Sequence, residues 1–241
     1  LLDIDSGQLI DRPLIRIEDG VITAVTARAA GQPVTHDLGD VTLLPGLIDC
    51  HTHLIGGPSP APYDSLRETT ARAAIEGVAN ARATLEAGFT TVRDLGAREF
   101  ADVALRDAIA AGRVPGPRMF VAVIGLSATG GHGDLNDLPA DLQFSRYSAI
   151  ADGPEEIRKA VRKNLKYGAD WIKVLVTGGV TSAGTDPQQA DYTEEEIHAA
   201  VLAARARGRD VAAHAHGATG ILRAARAGVR SIEHASYLTD E

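Results

Sequence analysis

Histidine is the residue type whose placement says most about chemistry in this chain. His51 and His53 close an apolar run that ends Leu47-Ile-Asp-Cys-His-Thr-His53. Side chains two apart on a strand leave the same face, so the two imidazoles converge on one point. Converging neutral imidazoles are metal ligands first. An isolated His-x-His also occurs as two polar residues at a strand end, and by itself decides nothing. The rest of the distribution decides more: of eight histidines, five fall at three expected strand ends, His51 and His53, His214 and His216, and His234. His36 and His198 lack that context and read as surface residues.

The elements that must carry these side chains follow from periodicity. From Leu47 onward short apolar runs alternate with amphipathic stretches, giving strands over 47–51, 89–95, 118–126, 170–176, 210–216 and 231–235. Helix starts stand between them: Ser65-x-x-Glu68, Pro154 at a first helical position, and Thr193-x-x-Glu196 as a capping box. Gly88, Gly168, Gly208 and Gly228 each stand just past such a helix, where a left-handed residue ends it. Repeated strand-helix-strand order demands parallel strands with right-handed crossovers, as in a closed eight-stranded barrel or an open doubly wound sheet. No Gly-rich phosphate loop follows the first strand. Histidines at several strand ends favour the barrel, where those ends meet over one mouth. The expected fold class is therefore α/β, a (β/α)8 TIM-type barrel over residues 45–241, incomplete here with about six strands. Residues 1–44 differ: 14–25 alternate apolar and polar about Asp19-Gly20, the signal of a two-residue hairpin in a small N-terminal β unit.

Composition excludes several classes. At 241 residues and 44% apolar the chain can bury one α/β core. Its net charge of -8, with no basic cluster, argues against nucleic acid and anionic membrane as partners. Cys50 is the single cysteine, which precludes an internal disulfide and fits a reducing compartment. No apolar stretch reaches the ~18 residues of a membrane span. The acidic start Leu1-Leu-Asp-Ile-Asp5 is unlike a signal peptide, so a cytoplasmic protein is expected, although the chain opens without Met.

Four segments together carry a family resemblance: Leu43-Leu-Pro-Gly-Leu-Ile-Asp-Cys-His-Thr-His53, Ala169-Asp-Trp-Ile-Lys-Val-Leu-Val-Thr-Gly-Gly179, Val211-Ala-Ala-His-Ala-His-Gly217 and Ser231-Ile-Glu-His-Ala235. In this order, over nearly the whole chain, they resemble the metal-dependent amidohydrolase superfamily, and within it the dipeptidase or prolidase-like branch. The resemblance implies a (β/α)8 barrel flanked by a β-sandwich built from both chain ends, and two divalent metal ions bridged by a carboxylated lysine. It implies that His51 and His53 hold the more buried metal, that Lys173 bridges, and that His214 and His234 hold the second. Zinc is the expected metal for imidazoles with a carboxylate-like ligand, other divalent ions following the affinity order.

Lys173 also speaks for itself. A lysine inside a buried parallel strand is costly unless it is used, the alternative being a snorkelling surface lysine. A neutral amine adds carbon dioxide to give a carbamate, an anionic ligand with two oxygens. An ordinary lysine pKa near ~10.4 opposes this, while desolvation and two nearby dications favour it.

Other candidates are less sharply defined. His216 shares the face of His214 and reads as a catalytic or substrate-facing group rather than a ligand. His132, in Thr129-Gly-Gly-His-Gly133 after the third strand, is a substrate contact or a plain surface histidine. Tyr192 would donate its hydroxyl to the scissile carbonyl or simply pack. Arg93 and Asp94 close the second strand and hold a substrate carboxylate, or each other.

The reaction expected is hydrolysis of amide C–N bonds in dipeptides or N-acyl amino acids, with water activated between two metals and the carbonyl polarised by them. The alternatives are a cyclic-amide hydrolase acting on imidazolone, hydantoin or dihydropyrimidine rings, or a metal-binding module without catalysis. The resemblance implies a general base, an aspartate ending an eighth strand. Asp240 follows His234 too closely to end such a strand. The chain therefore reads as part of a longer enzyme, with edges at the first and sixth strands that invite association into a homo-oligomer.

Overall fold

Asp19 and Gly20 both adopt left-handed backbone, φ 50° and 76°, the conformation a two-residue turn between twisted antiparallel strands requires. They join β1 (Pro13–Glu18) to β2 (Val21–Ala27), which pair antiparallel. This hairpin belongs to the first of two compact units, Leu1–Gly46, while Leu47–Glu241 form the second. The computed structural model describes residues 1–29, 31–56, 67–139, 141 and 148–240. The helix start expected at Ser65 lies outside them.

The second unit runs β3 (Leu47–Thr52), α1 (Thr70–Glu86), β4 (Phe89–Asp94), α2 (Ala101–Ala110), β5 (Arg118–Val121) and β6 (Gly125–Ser127). It continues through β7 (Ser148–Ile150), α3 (Gly153–Lys166), β8 (Trp171–Leu175), α4 (Glu194–Arg205), β9 (Asp210–Ala215), α5 (Ala218–Ala227) and β10 (Ser231–His234). Among the described residues its named strands pair in parallel, in the orders β3-β4-β5 and β10-β9-β8-β6-β7. The strand expected over 118–126 is broken, because Val123 turns left-handed at φ 65°. That conformation is uncommon for a β-branched residue. β5 and β6 are two lengths of one stave: β5 pairs with β4, β6 with β8, and the Asp170 amide donates to the Val121 carbonyl at 2.8 Å. Six staves thus follow chain order, with β3 and β10 at the outer edges. The short β7 beside β6 has no counterpart in the expected pattern. Among the described residues no helix is long and apolar enough to cross a membrane.

The core fixes which side chains face inward. Ile172, Val174 and Val176 pack with Val211, Ala213 and Ala215 against Ile157 and Val161 of α3 and Ile197 and Val201 of α4. By alternation, Lys173 on β8, His214 on β9 and His216 just beyond it face the barrel interior. On β4, Val92 packs outward with Met119, Val121 and Leu105, which turns Arg93 inward. The helix ends behave as their residues direct. Thr193 and Glu196 form a reciprocal capping box, Pro154 stands in the first turn of α3, and the four expected glycines take φ between 66° and 103°.

Candidate metal centre

Six imidazoles meet at the C-terminal ends of the staves. His51 lies 5.3 Å from His53 and 4.9 Å from His234, measured between ring centroids. His214 lies 4.7 Å from both His216 and His234, and His132, from the loop after β6, stacks on it at 4.4 Å. One nitrogen from each of His214, His216 and His234 falls within 4.8 Å of the others. Lys173 rises among them from β8, 2% exposed, its Nζ without a hydrogen-bond partner among the described atoms. It lines a cleft of about 460 Å³ together with His53, His132 and Ser182.

His234 reaches this group by a backbone irregularity. Register pairs Ile232 with Ala213, Glu233 with His214 and His234 with Ala215. Ile232 and Ala215 pack toward the helices, so strict alternation would send His234 the same way. Instead His234 and Ala235 adopt φ of 75° and 48°, and the imidazole swings to the mouth while Glu233 stays inside. Non-glycine residues held in this region store local strain and recur at functional sites. The Tyr237 amide donating to the His216 carbonyl at 2.9 Å helps pin the turn.

The partner of each ring's other nitrogen sets its tautomer. His53 Nδ1 is 3.0 Å from the Gly96 carbonyl, which can only accept, so Nε2 keeps the lone pair. Gly96 and Leu54 in turn donate their amides to the two oxygens of the fully buried Asp94. Burial, reinforced by the nearby Asp102 charge, raises the Asp94 pKa to about 7 against those donors. His51 Nδ1 meets Glu233 Oε2 at 3.1 Å. His214 is reversed, with Nε2 on the Gly178 carbonyl at 3.1 Å and Nδ1 open. His216 Nδ1 meets Ser236 Oγ at 2.8 Å. Ser182 donates its hydroxyl to the His132 carbonyl, so it must accept from His132 Nδ1, leaving Nε2 of that ring open. A Cβ on Gly179 would fall inside the His132 ring, so glycine is needed there.

Electrostatics favours the uncharged form of His53, His132, His214, His216 and His234. Burial lowers the pKa of His132 and His234 to about 4, with repulsion from Lys173 and neighbouring rings adding to it. The same causes bring His53 and, much further, His214 below the usual value. Burial brings the Lys173 amine down to about 8, Glu233 opposing and Arg93 assisting. For Glu233 burial acts to raise the pKa, but hydrogen bonds from His51 and Ser231 and the charges of Arg93 and Lys173 outweigh it and hold it at about 2.

Two expected site residues are engaged elsewhere. Arg93 does not reach the mouth, because it points into the barrel below it. There its guanidinium donates to the Cys50 carbonyl, Ser231 Oγ and Glu233 Oε1 at 2.8, 3.0 and 2.7 Å, and it lies 4.5 Å above the Trp171 ring. It does not pair with Asp94 either, since the two occupy opposite faces of β4. Tyr192 is 1% exposed in the helix-side core and donates its hydroxyl to the Ala151 carbonyl at 2.9 Å, so of its two readings the structure supports packing. His36 and His198 are exposed. Glu233 is an inward residue that histidine spacing alone does not mark. The available signal was the one that marked Lys173, an ionisable side chain inside a short buried strand.

The fold and the convergence of imidazoles around a buried lysine define a class. Residues 42–241 match the Amidohydrolase family, and the chain belongs to that family. It is 38% identical over 216 residues to ochratoxinase of Aspergillus niger, an alignment covering 83% of this chain and 44% of that one. Among solved structures it is similar to a prolidase complexed with N-methylphosphonate-L-proline, at TM-score 0.83 and 34% identity over 99% of this chain and 60% of that chain. It is also similar to a Xaa-Pro dipeptidase with bound methionine in the active site, at TM-score 0.82 and 38% identity over 94% of this chain and 57% of that one. The chain thus spans between about two fifths and three fifths of the length of these relatives, and its architecture is that of a (β/α)8 barrel, of which the described residues form six staves.

Proposed function

We propose that the whole protein hydrolyses amide C–N bonds of dipeptides or N-acyl amino acids at a centre of two divalent ions, zinc being the best match to the ligands. The observation that carries this reading is the buried, unpartnered Lys173 amine set among five imidazoles at three stave ends. With a pKa of about 8, about one such amine in ten is neutral at pH 7, against fewer than about one in a thousand for an ordinary lysine. A neutral amine can bond to the carbon of carbon dioxide and release a proton, which turns an orphaned buried donor into a two-oxygen acceptor. His51 and His53 would hold one ion, His214 and His234 the other, with the carbamate of Lys173 between them. Such ions, when bound, supply an activated water and polarise the carbonyl under attack.

His216 is proposed to stand beside this set. Its ring is parallel to that of His234 at 4.6 Å and 15°, and in-plane lone pairs of parallel rings run side by side instead of converging. His214 lies at 73° to His234, which suits a shared ion. His132, with Nε2 open on the cleft wall, would accept a hydrogen bond from substrate. The general base implied by the resemblance belongs to an eighth stave.

The test is a panel of dipeptides, N-acyl amino acids and cyclic amides offered to the whole protein. Amino acid release that stops with a chelator and returns with zinc is the expected result. Opening of cyclic amides with no cleavage of linear ones would replace the reading with the cyclic-amide alternative.

A further inference from the structure

We infer that Glu233 is a positioning residue that sets the tautomer and direction of the His51 ring for metal binding, and that Arg93 locks it in that task. The inference rests on the metal-centre reading above but concerns residues outside the ligand set.

Glu233 is 7% exposed and reaches inward from β10 toward the opposite side of the barrel. Its Oε1 accepts from Arg93 at 2.7 Å and from Ser231 Oγ at 2.7 Å. Its Oε2 is thereby left for His51 Nδ1, 3.1 Å away. A carboxylate held by a guanidinium is ionised, and an ionised carboxylate only accepts. The proton between His51 and Glu233 therefore sits on Nδ1, which leaves Nε2 as the nitrogen that would meet an ion at the mouth. Arg93 is fixed independently of Glu233 by the Cys50 carbonyl and the Trp171 ring. β3, β4, β8 and β10 thus all bear on one imidazole. A salt bridge serving stability alone would need no hydrogen bond to a histidine at the stave end. His53 differs, since its Nδ1 meets the neutral Gly96 carbonyl. Outer partners of ligand histidines contribute about 10- to 100-fold to metal affinity or activity.

Glu233→Gln is the discriminating change. A single amide oxygen would be drawn to Arg93, turning N–H groups toward His51 Nδ1 and driving the ring proton to Nε2, the tautomer that cannot ligate there. In the whole protein the expected result is zinc affinity reduced about 10- to 100-fold by chelator competition, with an unchanged circular dichroism spectrum. The metal-free wild type should show His51 protonated at Nδ1 by nitrogen NMR, which decides the matter even if the variant does not fold. Zinc affinity of the folded variant within about twofold of wild type, or a wild-type His51 protonated at Nε2, would overturn the inference. A wild type that binds no divalent ion but carries the Nδ1 proton would instead defeat the metal-centre reading and leave the positioning geometry standing.

Discussion

The molecule carries two His-x-His pairs, and they are built differently. His51 and His53 end the first stave, each with Nδ1 held by an acceptor, Glu233 for one and Gly96 for the other, so both Nε2 atoms are open. His214 lies on the fifth stave and His216 just beyond it, both more deeply buried, one held through Nε2 by Gly178 and the other through Nδ1 by Ser236. Equal spacing and equal facing thus yield two matched ring nitrogens in one pair and two unmatched ones in the other. Spacing brings imidazoles together. The partner of the second nitrogen decides what each can do.

Lys173 stands between the pairs, and removing it tests whether they form one centre. In the whole protein Lys173→Ala should lose most of its metal and lower turnover by more than about 100-fold, beyond the range of an outer partner. A small carboxylate should restore part of both. Two metals per chain and full turnover in this variant would mean that the pairs act without a bridge.

A smaller effect separates the members of the second pair. His214→Asn should reduce metal content, whereas His216→Asn should keep the metal and alter KM or kcat. Metal analysis and steady-state kinetics on the two variants would expose the reverse assignment, which would make the stacked ring, not the edge-on one, the ligand.

The smallest expected effect concerns pH. His214 has a folded pKa far below the ordinary 6.5, so its contribution to stability is present above about 6.5 and is lost as pH falls below that value. His53 is lowered by less. The Tm of the metal-free whole protein should therefore fall between pH 6.5 and pH 4 through these rings, and His214→Gln should flatten that fall more than His53→Gln. Equal slopes in the two variants would erase the electrostatic difference between the pairs.

Much of this arrangement was legible in residue types. The Asp19-Gly20 turn, the capping box at Thr193 and the glycines after helices depend on local chemistry, and local chemistry is what a sequence displays. Convergence of His51 with His53, and of His214 with His216, followed from alternation. What alternation could not reveal was its own failure at Val123 and His234, where backbone sign is set by tertiary packing. Neither the inward turn of Glu233 nor the break in the third stave can therefore be read from a period of two. Arg93 stands near a stave end, but whether a long side chain reaches up to the mouth or down into the barrel depends on acceptors from distant strands. The choice between the two readings of Tyr192 depends on the same kind of contact: the chain after β8 turns so that the Asp191 and Tyr192 amides both reach the Val176 carbonyl, and the phenol enters the core.

The left-handed turn at His234 also bears on protein engineering. A designer who grafts Ser231-Ile-Glu-His234 onto another parallel barrel as a string of side chains would obtain either the glutamate or the histidine facing inward, never both. The transferable unit is the strand end together with its turn, including Ala235 and the amide of Tyr237. On the metal-centre reading proposed above, sequence libraries that hold the histidine constant while randomising the two residues after it would lose metal-binding clones although the imidazole is kept.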